Sequence, residues 1–309
     1  MEKLNIAVIG AGSHAQTHFQ MIKNANEMNF VAVCDIDRSR AEKAKHEYQA
    51  EYVFIDYKEM IDKCDLDIVY VETLPTSTTD IAIYCIEKGL HTSVEKPPGM
   101  NSSDTKRILE AEKKSNCIAM VSFNRRYIPE VLAVRKMILD RGGAIHCSTT
   151  YNKTPVADNP LWGNYPLIHD AIHHVDLLRW FAGDVSEVHS YYYLADNSSD
   201  RQHHNAIISF TNGCKGTFMS HYGVGFRIQR AEVHANDFSA YIDLTGAPKC
   251  EIYENGKPYT NPLDLDAIGG GSFNETKHLI DCIKNGKKPW SNIEDAVKTM
   301  ELCESILHK

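Results

Sequence analysis

Nine cysteines are scattered singly through this 309-residue chain, at 34, 64, 85, 117, 147, 214, 250, 282 and 303, with no CxxC pair and an odd total. That spacing argues against a thiolate zinc module and fits a reduced compartment rather than a disulfide framework. Long apolar runs are missing too: no stretch approaches the ~18 to 20 residues that span a bilayer, so no membrane partner is expected. Positive charge is in deficit, with 33 Lys+Arg against 41 Asp+Glu and a formal net charge of −8. Such a balance does not suit a phosphate backbone, so nucleic acid is not an expected partner. The opening Met-Glu-Lys-Leu-Asn-Ile-Ala-Val-Ile carries no apolar h-region or small-residue cleavage site, which predicts a cytoplasmic protein.

What is present is a change of rhythm near residue 123. From Leu4 to Phe123 short β-branched runs alternate with longer polar-faced segments, the pattern of a parallel sheet covered by helices. Strands are predicted at 4–10, 30–36, 52–55, 67–73, 91–96 and 118–123, with the clearest helices over 77–88 and 102–114. Residues 144–263 alternate at period two and are punctuated by Thr-Asn-Gly at 211–213 and Glu-Asn-Gly at 254–256, which predicts a largely antiparallel sheet. One helix over 169–182 interrupts it, and two over 272–284 and 293–308 close the chain. The expected division is 1–123 and 124–309, an α/β domain followed by an α+β domain, with the last helices packing back on the first.

Gly10-Ala-Gly12-Ser13-His14-Ala15 follows the first strand and opens a helix, the context a GxGxx(G/A) dinucleotide fingerprint requires. Glycines permit a tight turn and close approach, so a pyrophosphate can sit on helix N–H groups. Asp35 ends the second strand 23 residues after Gly12, where a carboxylate can accept from both hydroxyls of an adenosine ribose. These features predict a Rossmann domain. Asp35 would repel a 2′-phosphate, so NAD is favoured over NADP, with Arg38 nearby as the residue that leaves room for both.

Strand five runs into Glu95-Lys96-Pro97-Pro98-Gly99, placing Lys96 at the carboxyl edge, where open α/β folds bind ligands. Its ammonium can stabilise an alkoxide, and a cis bond is possible at either X-Pro. On the interrupting helix, His169, His173 and Asp176 fall within roughly 60° of one another at ~100° per residue, and Asp170 can reach His173 or His174. This is a candidate acid/base stripe. The competing metal reading, with His169, His173 and Asp176 as ligands, lacks an HExxH or acidic ligand cluster and leaves the dinucleotide half unexplained. No metal is expected.

Gly10 to Ala15, Asp35, the Leu74-Pro75-Thr76 turn, Glu95-Lys96-Pro97, Phe123-Asn-Arg-Arg-Tyr127 and the His-rich helix together resemble the Gfo/Idh/MocA family of NAD(P)-dependent oxidoreductases, over the whole length. The resemblance implies oxidation or reduction of a secondary alcohol of a sugar, cyclitol or related polyol, with Lys96 and His173 catalytic. It places Leu74, Pro75 and Glu95 beside the cofactor, and implies a homodimer or homotetramer. Two departures stand out: His169 replaces the family's first helix Asp, leaving Asp170 to support the catalytic His, and Thr79 stands where a His is common. Asn124, Arg125, Tyr151, Asn152, His169 and Asp176 are expected substrate contacts, whereas Arg126 reads as an internal ion-pair arginine. Two alternatives stay open: an NAD-retaining glycosidase or lyase working by transient oxidation and elimination, and a dinucleotide-responsive regulatory protein without turnover.

Overall fold

The computed structural model describes residues 3–154, 166–195, 202–263 and 269–307. Two compact units are resolved: Met1–Ser122 with Glu275–Val297, and Phe123–Asn274 with Lys298–Lys309.

The first unit alternates β1 (Leu4–Ile9), α1 (Ala15–Asn24), β2 (Met28–Cys34), α2 (Arg38–Tyr48), β3 (Tyr52–Phe54), α3 (Tyr57–Lys63), β4 (Ile68–Val71), α4 (Pro75–Glu87), β5 (His91–Val94), α5 (Ser102–Lys113) and β6 (Ala119–Val121). Its six strands are parallel in the order β3-β2-β1-β4-β5-β6. Ile6, Ala7 and Val8 of β1 and all four residues of β4 are buried, as strands covered on both faces must be. Helix starts follow side-chain caps: Asp37 accepts from the Ser39 and Arg40 amides, Asp56 from Lys58, and Asn101 from Asp104. α4 begins two residues earlier than predicted because Pro75, its φ already helical, takes the first turn. The winding reverses between β1 and β4, so their carboxyl ends form the switch point where such sheets bind ligands.

The second unit opens with a 3-10 turn (Asn124–Tyr127) and α6 (Pro129–Leu139), followed by β7 (His146–Lys153). A π-helical turn (Leu167–Ala171) leads into α7 (Ile172–Ala182). The predicted single α-helix from His169 is therefore corrected: its first turn is wider, and the 100° spacing does not hold across it. Then come β8 (Val185–Leu194), β9 (Gln202–Phe210), β10 (Lys215–Tyr222), β11 (Ile228–Ala235), β12 (Phe238–Asp243), β13 (Lys249–Glu254) and β14 (Lys257–Pro258). They form one sheet with β7 in the order β14-β13-β12-β11-β7-β10-β9-β8, antiparallel except where β7 and β10 run parallel. Cys147, Thr149 and Tyr151 alternate into its buried face, where the Thr149 hydroxyl donates to the His174 carbonyl of α7.

The chain closes with α8 (Gly271–Asn285) and α9 (Ile293–Leu307); the predicted end at His308 lies outside the described residues. Among the described residues, no helix is long and apolar enough to cross a membrane.

Candidate active site

In the first unit the chemistry gathers at the carboxyl edge of the sheet. Gly10 has φ 102°, and a Cβ there would lie 2.3 Å from the Glu72 carbonyl oxygen, so only glycine fits. A Cβ on Gly12 would meet nothing within 4 Å. That open surface lies before the first turn of α1, which has no side-chain cap; Ser13 and His14 are exposed there. This is the cradle a pyrophosphate needs.

Asp35, nearly buried, is already engaged. Its Oδ2 accepts from the Ala11 amide at 2.8 Å, and its Oδ1 accepts from the Asp37 amide at 2.8 Å and from Arg40 Nη2 at 2.8 Å and Nε at 3.2 Å. A carboxylate offers about four acceptor sites, so these bonds leave capacity mainly on Oδ2. The arginine beside Asp35 is Arg40; Arg38 is exposed and faces Glu42 at 3.5 Å. Leu74 caps α4 and Pro75 is its first residue, while Thr79 donates to the Pro98 carbonyl at 3.2 Å and ties α4 to the turn after β5.

That turn contains a cis Lys96–Pro97 bond. Lys96 Nζ is 3.9 Å from Glu95 Oε1. Beside it lies a cluster of which only Glu95 belongs to the expected set: His18 of α1 has Nε2 3.4 Å from Glu72 Oε1 and 3.9 Å from Glu95 Oε2. Burial pushes the Glu72 carboxyl up to about 8, against the opposing pull of Lys96. Glu95 rises to about 7, first through burial and then through repulsion from Glu72. Burial also lowers His18, favouring neutral imidazole. The signal available in the sequence was a glutamate directly after the apolar Ile-Val-Tyr-Val strand, at the same edge as Lys96.

A cavity of about 800 Å³ between α4 and α5, lined by Ile83, Lys106, Glu110 and Cys117, also includes His91. His91 starts β5, so this cavity belongs to the opposite end of that strand from Glu95.

In the second unit the expected residues divide. Asp170 accepts from the Tyr151 hydroxyl at 2.6 Å and from Lys153 Nζ at 2.6 Å. Arg125 donates to Asn124 Oδ1 at 3.1 Å and to Gln229 Oε1 at 3.3 Å. His174 packs edge-on to Tyr151 with ring centres 5.1 Å apart; burial, reinforced by Arg125, lowers it to about 3, so it stays neutral. His169 and His173 are buried on the π turn and at the start of α7. Tyr151, Lys153 and Asp170 thus share one hydrogen-bonded network, with the Arg125 charge acting on Tyr151 and His174 beside it.

Asn152 and Asp176 fall elsewhere. Successive strand residues face opposite ways, so Asn152 lies on the outer face, where its Oδ1 accepts from the His221 amide. Asp176 is fully buried, accepting from Arg126 Nε at 2.7 Å and Thr299 Oγ1 at 2.9 Å while its Oδ1 also meets Arg126 Nη2. The proposed stripe of His169, His173 and Asp176 is broken by the π turn and by this ion pair, and Arg126 is the internal ion-pair arginine expected.

A family profile described as an oxidoreductase family with an NAD-binding Rossmann fold matches residues 4–123, and a Gfo/Idh/MocA C-terminal domain profile matches residues 140–240. The chain belongs to the Gfo/Idh/MocA oxidoreductase family. Its first unit is the family's NAD-binding Rossmann fold. Among its relatives, 4-carboxy-2-hydroxymuconate-6-semialdehyde dehydrogenase of Sphingobium is 25% identical over 60% of this chain and 62% of its own length. That match spans less than two thirds of the relative. Myo-inositol 2-dehydrogenase of Thermotoga maritima is 28% identical over 94% of this chain and 92% of its own. Levoglucosan dehydrogenase in complex with NADH shares the fold, with TM-score 0.85, 19% identity, and coverage of 99% and 96% of the two chains.

Proposed function

We propose that this Gfo/Idh/MocA member is an NAD-dependent dehydrogenase transferring hydride between a secondary alcohol of a sugar, cyclitol or related polyol and the nicotinamide. The observation that carries the reading is Lys96 at the carboxyl end of β5, two strands from the Gly10 turn across the switch point. At ~4.8 Å per strand that is about 10 Å along the edge, within the reach of one dinucleotide. The polyol-type substrates in the names of the Thermotoga and levoglucosan enzymes support the substrate class.

The loop Gly10, Gly12, Ser13, His14 and Ala15 would hold the pyrophosphate and Asp35 the ribose, with Leu74, Pro75 and Glu95 flanking the cofactor. NAD, when bound, supplies the hydride acceptor. Lys96 donates from Nζ to the substrate oxygen and stabilises its growing negative charge. His173 is assigned the hydroxyl proton. Asp170 serves indirectly, fixing Tyr151 and Lys153, and Asn124, Arg125 and Tyr151 are the assigned polyol contacts. Homo-oligomerisation is part of the same proposal: the outer sheet face presents Tyr191, Tyr193, Ile207, Met219 and Tyr241 to solvent, an apolar area of the kind that marks an interface.

The test is kinetic. With a polyol that reduces NAD, Lys96→Met and His173→Ala are each expected to lower kcat by ~100-fold or more, while NAD affinity by calorimetry changes little. Near wild-type turnover in both variants would remove the residue assignment. Substrate loss without accumulation of NADH would favour the elimination alternative instead.

A further inference from the structure

The Rossmann fold explains the Gly10 turn and Asp35, and the dehydrogenase reading explains Lys96. Neither explains why a second glutamate is buried beneath that lysine. Glu72 is the residue after β4, at the switch point itself, where its carbonyl oxygen stands against Gly10. Its side chain is 0% exposed, and among the described residues neither carboxyl oxygen has a hydrogen-bond partner.

The groups that face it come from every element packed around it. His18 approaches from α1 at 3.4 Å, and one ligand-type atom each of His18, Glu72 and Glu95 lie within 4.8 Å of one another. Tyr70 of β4 lies against His18 with ring centres 5.5 Å apart, and its hydroxyl donates to Thr276 of α8 at 3.4 Å. Glu275, the next acid outward, accepts from Ser122 at 2.8 Å. The cation adjoining the cluster is Lys96, 3.9 Å from Glu95.

Two ionised carboxylates this close in a low-dielectric setting repel strongly, and a neutral imidazole cannot compensate them. We propose that Glu72 is a positioning residue for Lys96, holding one proton jointly with Glu95 so that a single negative charge, not two, faces the ammonium. Loss of that proton adds a second carboxylate that competes with the substrate oxygen for Nζ and draws the lysine down. The kinetic consequence rests on the dehydrogenase reading; the shared proton does not. The raised ranges of both glutamates have the direction that sharing requires, and the pair titrates as a unit.

Two measurements on the full chain decide it. NMR of isotope-labelled glutamate side chains, without substrate, is expected to show a carboxyl whose last step is centred near 8 and which disappears in Glu72→Gln. If every glutamate in the wild type finishes titrating by about pH 6, the proposal is overturned whether or not the variant folds. With myo-inositol and NAD as the probe pair, wild-type kcat is expected to fall about tenfold per pH unit above that step. Glu72→Gln loses this limb, whereas Glu72→Asp keeps it. A limb that persists in Glu72→Gln overturns the positioning role, as does a stoichiometric divalent metal that a chelator removes, because a bound ion would replace the proton. Absence of turnover with every polyol tried refutes the dehydrogenase reading, and the carboxyl titration then decides the shared proton alone.

Discussion

Asp35 holds together two pieces of backbone and one guanidinium before any ribose arrives: the Ala11 amide, the Asp37 amide and Arg40. Its carboxylate therefore shapes the glycine turn, and in the proposed dehydrogenase it would repel a 2′-phosphate. Arg40 is half exposed and is kept from serving as a phosphate ligand by donating both Nε and Nη2 to Asp35 Oδ1. Asp35→Ser is expected to reverse the preference. Losing a charge-assisted hydrogen bond, worth about 1.5–3 kcal/mol, should cost roughly 10- to 150-fold in kcat/KM with NAD. The released Arg40 should raise the NADP to NAD ratio at the same time. Initial rates with both coenzymes check this, and an unchanged ratio would show that Asp35 does not read the ribose. Adding Arg40→Ala to Asp35→Ser should then take the NADP gain away.

Among the elements, α7 depends on charge as much as on apolar packing. Arg126, on the 3-10 turn, meets Asp176 of α7, which also accepts from Thr299 of α9, and Arg126 and Asp176 are essentially inaccessible to solvent. Removing one member leaves a buried charge without its counterion, so Arg126→Met is expected to cost about 3–5 kcal/mol in urea unfolding. The double variant Arg126→Met with Asp176→Leu should recover most of that loss, because an apolar pair of similar volume carries no desolvation penalty. Equal losses in single and double variants would show that volume, not charge, matters here. Sequence pattern made the six parallel strands legible, since fully buried runs such as Ile68–Val71 have no polar alternation to confuse them. Period-two alternation also contained the separation of Tyr151 from Asn152, adjacent strand residues that cannot line one pocket. The π turn at Leu167–Ala171 left no trace, because one extra residue per turn barely alters an apolar pattern that is buried on most sides. Glu72 was hidden for a different reason: a carboxylate at a strand end normally reads as solvated, and only the convergence of α1, β4 and β5 buries it.

On the scale of the whole molecule the two units differ in their response to acid, because only the first sets a buried carboxyl pair against its buried histidines. In the second, burial lowers His174 to about 3 and His204 to about 4. Both are held neutral in the folded state, while the unfolded chain binds a proton near the ordinary 6.5. Their stabilisation is therefore complete above that value and is lost as pH falls toward the depressed folded values. At pH 5 each accounts for about 2 kcal/mol of lost stability, and the lowered His203 and His221 act in the same direction. In the first unit His278, lowered to about 4, and the lowered His18 and His91 do likewise, but Glu72 and Glu95 oppose them. Their folded ranges are raised, so their relative stabilisation is greatest below the ordinary glutamate value and disappears as pH rises through about 7 to 8; on acidification from neutrality they offset the loss from the unit's histidines. Hydrogen exchange followed by mass spectrometry between about pH 7 and pH 5 should thus show residues 123–274 losing protection first, while strands β1, β4 and β5 hold theirs. Simultaneous loss in both units would mean that the buried carboxyl pair is not protonated in the folded chain, and earlier loss from β4 would mean that the histidines of α7 and β9 are not kept neutral by burial.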